Sequence, residues 1–123
     1  MNSNAIVVRH AGHRRAVGSP LNRGTLRAQN LGFRSTGGTS AGNRQLGFRP
    51  AFLDGSTGRI YLARHLDGQP APFHSLDGLP EPLVVRRLPT GRVVEAQPTL
   101  IAGFLKDGRF WTREQAATAL AQA

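Results

Sequence analysis

The sequence predicts a mainly β (α+β) fold: a small antiparallel sheet or partly closed barrel with a short C-terminal helix, preceded by a basic, largely disordered N-terminal arm. Three observations lead there. From about residue 46 onward, short apolar stretches alternate with turn clusters such as Asp-Gly and Pro-Thr-Gly. Near the C-terminus, Thr112-Arg113-Glu114-Gln115 has the residue pattern of a helix capping box. The charge is also divided unevenly along the chain.

Of 16 basic residues, only Lys106 is a lysine, and against 7 acids they give a formal net charge of +9. Residues 1–50 carry Arg9, Arg14, Arg15, Arg23, Arg27, Arg34, Arg44 and Arg49 with no Asp or Glu, whereas all the acids lie beyond Pro50. The same N-terminal part is rich in Gly, Ser, Asn and Thr, and its large apolar residues are few and scattered. It cannot bury enough apolar surface to offset a chain entropy of about 1–2 kcal/mol per residue. Residues 1–45 are therefore expected to be a basic flexible arm, and 46–123 a small β-rich domain with a C-terminal helix. Within the arm, Ser19-Pro20 followed by Leu21 to Gly32 offers an N-cap, a first-turn proline and a terminal glycine. Leu21, Gly24, Ala28 and Leu31 would share one face of that helix and Arg23, Arg27 and Asn30 another, a layout suited to folding on a partner.

In the domain, Gly47 to Leu53 reads as a strand, with Pro50 favouring a sheet edge. Asp54-Gly55-Ser56-Thr57-Gly58 turns the chain, and Arg59 to Arg64 returns it. A loop over 65–82 holds two copies of one pattern, Leu66-Asp67-Gly68-Gln69-Pro70-Ala71-Pro72 and Leu76-Asp77-Gly78-Leu79-Pro80-Glu81-Pro82. Asp-Gly makes a tight turn, and Pro-x-Pro stiffens the next residues toward polyproline II. Leu83–Leu88 and Arg92–Ala96 form a hairpin closed by Pro89-Thr90-Gly91, in a register that sets Val85 opposite Glu95. Leu100–Leu105 and Arg109–Trp111 form another around Lys106-Asp107-Gly108. Thr112 then caps a short alanine-rich helix, which needs docking to persist. The expected core is Phe48, Phe52, Ile60, Leu62, Val84, Val93, Ile101, Phe104, Phe110 and Trp111. It is thin for the length, which makes a homo-oligomer a partner to consider.

The absence of cysteine removes thiol catalysis, disulfides and Cys-ligated metal sites. The run Ala5-Ile6-Val7-Val8 is too short to cross a membrane or to serve as the apolar region of a secretory signal. No membrane partner and a cytoplasmic location are expected. His65, Asp67, His74 and Asp77 are the best metal candidates, but they lack the ordered spacing of a zinc site and read first as turn formers. No metal and no cofactor is expected. Ser75 lies between His74 and Asp77 without the strand–elbow–helix context of a hydrolase. Gly37-Gly38-Thr39-Ser40-Ala41-Gly42 lacks the Gly-Lys-Ser/Thr ending of a phosphate loop. An enzyme is not expected.

The acid-free arginines are the strongest functional signal. Arg stays charged and contacts phosphate bidentately, and here no neighbouring carboxylate neutralises it. Arg9, Arg14, Arg15, Arg23, Arg27, Arg34 and Arg44 are the candidate nucleic-acid contacts. Phe33 is added as a stacking residue beside Arg34, because Leu31-Gly32-Phe33-Arg34 recurs as Leu46-Gly47-Phe48-Arg49. The leading expectation is a small non-enzymatic bacterial protein whose basic arm binds nucleic acid or a nucleoprotein without reading sequence. The alternative is a protein-binding inhibitor or accessory factor of a mobile element, with the arm on an acidic protein surface and the 65–82 loop supplying specificity.

Overall fold

A computed structural model describes residues 21–122. The chain runs β1 (Leu21–Asn22), α1 (Arg23–Gly32), α2 (Ser40–Asn43), a 3-10 turn at Arg44–Leu46, β2 (Arg49–Asp54) and β3 (Ile60–Leu62). A second 3-10 turn at Glu81–Leu83 leads into β4 (Val84–Arg87), β5 (Val93–Ala96), β6 (Leu100–Lys106), β7 (Arg109–Thr112) and α3 (Arg113–Ala121). The fold is mainly β, as expected, but it is built as two small open antiparallel sheets. One has the order β1-β5-β4 and the other β3-β2-β6-β7. The strand carrying Pro50 is therefore central rather than at an edge. Its proline is tolerated because only its carbonyl is used on the β3 side, accepting from Ala63 N, while Ala63 O accepts from Ala71 N and asks for no donor at Pro50.

Local chemistry explains the hairpins. Asp107 and Gly108 both take positive φ (55° and 77°), so Lys106 pairs directly with Arg109 across a two-residue turn of the type that suits strand twist. At the other hairpin, Gly91 takes φ 93° and its N–H donates to Leu88 O, the expected turn. The register there differs further from the turn. Arg87 faces Val93 as expected, but an irregularity sets Arg86, rather than Val85, opposite Glu95. Val85 is left exposed on the edge strand of its sheet. Thr112 caps α3 and exchanges hydrogen bonds with Gln115, so the capping box is present.

One core cluster joins the two sheets: Phe52, Leu100 and Ala102 meet Leu21, Val93, Ala96, Leu76, Leu79 and Leu83. A second docks α3, through Ala116 and Leu120, onto Phe48, Phe104 and Trp111. Of the ten expected core residues, Phe48, Phe52, Val93, Phe104 and Phe110 are buried; Ile60, Leu62, Val84, Ile101 and Trp111 are half-buried.

The boundary expected at 45/46 is not where folded structure begins among the described residues. Leu21 and Leu26 are buried in the main core, and Asn43 is buried with its amide donating to Gly37 O. α1 starts at Arg23 with Asn22 as N-cap and Thr25 completing a capping box. The expected cap at Ser19-Pro20 lies outside the described residues. The expected apolar face is also turned around: Gly24, Ala28 and Leu31 are exposed, and the helix is anchored through Leu26. Two leucines in the right places, together with buried polar contacts, secure a segment whose composition alone suggests an unfolded chain.

Candidate nucleic-acid interface

Asp77 organises the site. It is buried along with Leu76 and Leu79 of its copy of the loop pattern, whereas the matching Asp67 is exposed and merely closes a turn by accepting from Gln69 N. The Asp77 carboxylate accepts from the Val93 backbone N–H at 2.9 Å and from Arg92 Nε at 2.8 Å, and it lies 3.4 Å from Arg23 Nη2. Arg23 Nε donates in turn to Val93 O at 3.0 Å. One buried carboxylate therefore ties the start of α1 and the start of β5 to the 65–82 loop and holds two arginines beside it.

Arg23, Arg27 and Asn30 follow one another at helical spacing along one side of α1. Together with Arg92 and the segment Phe73–Asp77 they line an open groove of about 210 Å³. The Arg27 side chain is exposed and makes no ion pair or hydrogen bond among the described residues. Arg92 uses only its Nε on Asp77, which leaves both of its terminal nitrogens for a ligand. With one carboxylate against three guanidinium groups, the groove is net cationic.

Its floor is neutral. His74 is buried between Phe52 and Phe104, with ring centroids at 5.5 and 5.2 Å. Burial, reinforced by the nearby Arg113 charge, lowers its pKa from 6.5 to about 3 despite the hydrogen bond to Gly103 O. Arg113 is itself buried, and desolvation lowers its pKa to about 10, so it remains cationic at neutral pH. Its guanidinium reaches Gly38 O at 2.9 Å, Gln29 Oε1 at 3.2 Å and His74 Nδ1 at 3.1 Å. Arg113 thereby joins α3, α1 and the loop behind the groove. It was not legible as a structural residue, because an arginine in the first turn of a terminal helix ordinarily faces water.

The sequence-derived candidates are scattered by the structure. Arg9, Arg14 and Arg15 lie outside the described residues. Arg23 and Arg27 meet at the groove; Arg34 is exposed beyond the end of α1. Arg44 is exposed and donates to Pro72 O at 3.3 Å, beside a different groove. Phe33 is half-buried, with its ring against Gly38, where an added Cβ would stand only 2.5 Å from it. It is not an open platform. Its repeat has another explanation: Leu31-Gly32-Phe33 and Leu46-Gly47-Phe48 both end helical turns, with the leucine exposed and the phenylalanine turned inward. The glycines at 37, 38 and 42 serve close packing, against Leu120, Phe33 and Thr36 O respectively.

Two groove residues escaped the sequence reading, Arg92 and Phe73. Arg92 sits in the charge-balanced half of the chain, and Phe73 in a loop read only for its turns. The metal candidates are dispersed: His74 and Asp77 are committed to the contacts above, and His65 rests against Phe73. Among the described residues no cluster of His, Cys, Asp and Glu could hold a metal ion, and no helix is long and apolar enough to cross a membrane. Comparison with protein families, with curated proteins and with solved structures finds no match.

Proposed function

We propose that the protein is a non-enzymatic binder of nucleic acid or of a nucleoprotein, contacting phosphates through arginine without reading base sequence. The observation that carries this reading is the convergence of Arg23, Arg27 and Arg92 on one open groove, with two of the three oriented by a buried carboxylate. Oriented guanidinium groups with spare N–H donors suit phosphate oxygens. Arg9, Arg14 and Arg15 add cationic charge N-terminal to the helix that carries two of the groove arginines. The contacts would be to backbone, which fixes position rather than sequence.

One observation favours a second reading. A separate groove of about 330 Å³ has an apolar lining that includes Phe48, Leu62, Pro70 and Pro72, with Arg44 and Arg49 beside it. Arg49 makes no ion pair among the described residues. Such a surface suits an acidic, partly apolar protein segment, as an accessory factor or inhibitor would need.

A pull-down from native lysate, with and without nuclease, separates the two. Nucleic-acid binding predicts that recovered partners vanish after nuclease treatment. One protein recovered equally in both arms would overturn it and favour the second reading.

A further inference from the structure

Among the described residues, Phe73 is the one aromatic in the set of exposed large apolar side chains, at 53% relative exposure. Nothing in the core accounts for it. The phenylalanines at 48, 52, 104 and 110 are buried, and Phe33 is covered on Gly38.

Its position is nevertheless well defined. The next residue, His74, is pinned on both ring nitrogens, to Gly103 O at 2.6 Å and to Arg113 at 3.1 Å. The Phe73 ring itself meets the His65 ring edge-on, with centroids 5.6 Å apart and planes at 72°. An exposed aromatic held from two sides has already lost much of the freedom that binding would otherwise remove. It also lines the same groove as Arg23, Arg27 and Arg92.

A ring and several guanidinium groups around one groove match an unpaired nucleotide, whose base offers a π-face and whose phosphate offers charge. A duplex keeps its bases stacked on one another and presents only phosphates and base edges. We infer that this groove binds single-stranded nucleic acid, with an unpaired base stacked on Phe73 and the adjoining phosphates on Arg23, Arg27 and Arg92, a specialisation that rests on phosphate binding at the same place.

The test measures binding of the full chain to four probes of equal length: a run of deoxythymidine, a run of uridine, an abasic strand and a duplex. Phe73→Ala should weaken the two base-bearing strands by about 5- to 150-fold. It should leave the abasic strand and the duplex within about twofold. Phe73→Tyr should retain the binding that Phe73→Leu loses, since leucine keeps apolar bulk without a π-face. Equal weakening on all four probes, or none on any, would overturn base stacking while phosphate binding stands. Binding to no probe at low salt would overturn both.

Discussion

Nη2 of Arg113 lies 3.1 Å from Nδ1 of His74, and this contact fixes the histidine's tautomer. A guanidinium can only donate, so Nδ1 accepts and the proton sits on Nε2, which donates to Gly103 O at 2.6 Å. Protonating His74 would put a second donor against Arg113 and a second charge in a buried site. The segment Phe73–Asp77 is thus held by a hydrogen-bonded pair that works only while the imidazole is neutral.

Acid should therefore destabilise the protein well before the carboxylates titrate. His74 has its pKa lowered to about 3 in the folded state, against 6.5 when unfolded, so the unfolded chain binds the proton more readily between those values. The stability contribution is fully present above pH 6.5 and falls as pH drops through that window, by about 1.4 kcal/mol per pH unit. His74→Gln, which can keep the donor to Gly103 without titrating, should flatten the dependence between pH 7 and about 5. Urea midpoints of both proteins across that range check this; identical slopes would refute it.

Arg113→Leu should cost on the order of 2–4 kcal/mol, because it leaves the buried acceptors on Gly38 and His74, and the half-buried Gln29 Oε1, without their donor. Its exposed neighbour gives the control: Glu114→Ala should change stability by less than about 1 kcal/mol. Chemical denaturation of the two variants is the comparison.

The hairpin turns and the cap of α3 were legible in the sequence because they depend on residues close in the chain. Asp107-Gly108 selects its turn, and Thr112 finds Gln115 within one helical turn. Residues whose meaning is set by distant partners were not. Leu66-Asp67-Gly68 and Leu76-Asp77-Gly78 read alike, yet Leu66 and Asp67 are exposed while Leu76 and Asp77 are buried, Asp77 against β5 and α1. Asp77 differs from Asp67 only in having Val93, Arg92 and Arg23 as neighbours, which no local pattern reveals. The same limit hid the folding of residues 21–45, where Leu26 and the Arg113–Gln29 contact act across the chain.

Deleting residues 1–45 should abolish cooperative unfolding. The deletion removes Leu21 and Leu26 from the core, and each buried leucine contributes about 2–5 kcal/mol against a total of about 5–15 kcal/mol for a small domain. Deleting residues 1–20 keeps every described core residue and should retain a cooperative transition. A thermal melt of the chain lacking residues 1–45 that matches the full protein's would contradict the placement of α1 in the fold.

At the other end, Thr112→Ala should cost about 0.5–2 kcal/mol, the usual loss of an N-cap. Trp111 is half-buried, with its ring 5.2 Å from Phe48 and its Nε1 donating to Lys106 O. Trp111→Ala should cost about 2–3 kcal/mol, less than a fully buried tryptophan would. Equilibrium unfolding of the two variants checks the order.

Phosphate binding at the arginine groove should show in a salt titration of duplex binding. Arg27 is the informative position, because it lines the groove and makes no ion pair among the described residues, so its loss should spare the fold. Arg27→Ala should reduce the slope of log affinity against log salt by about 0.9, one counterion's worth, with equal effect on unrelated sequences. Deleting residues 1–20, and with them Arg9, Arg14 and Arg15, should reduce it by about 2.7. A slope unchanged by both alterations, or no binding by the full protein at low salt, would show that the groove does not bind phosphate.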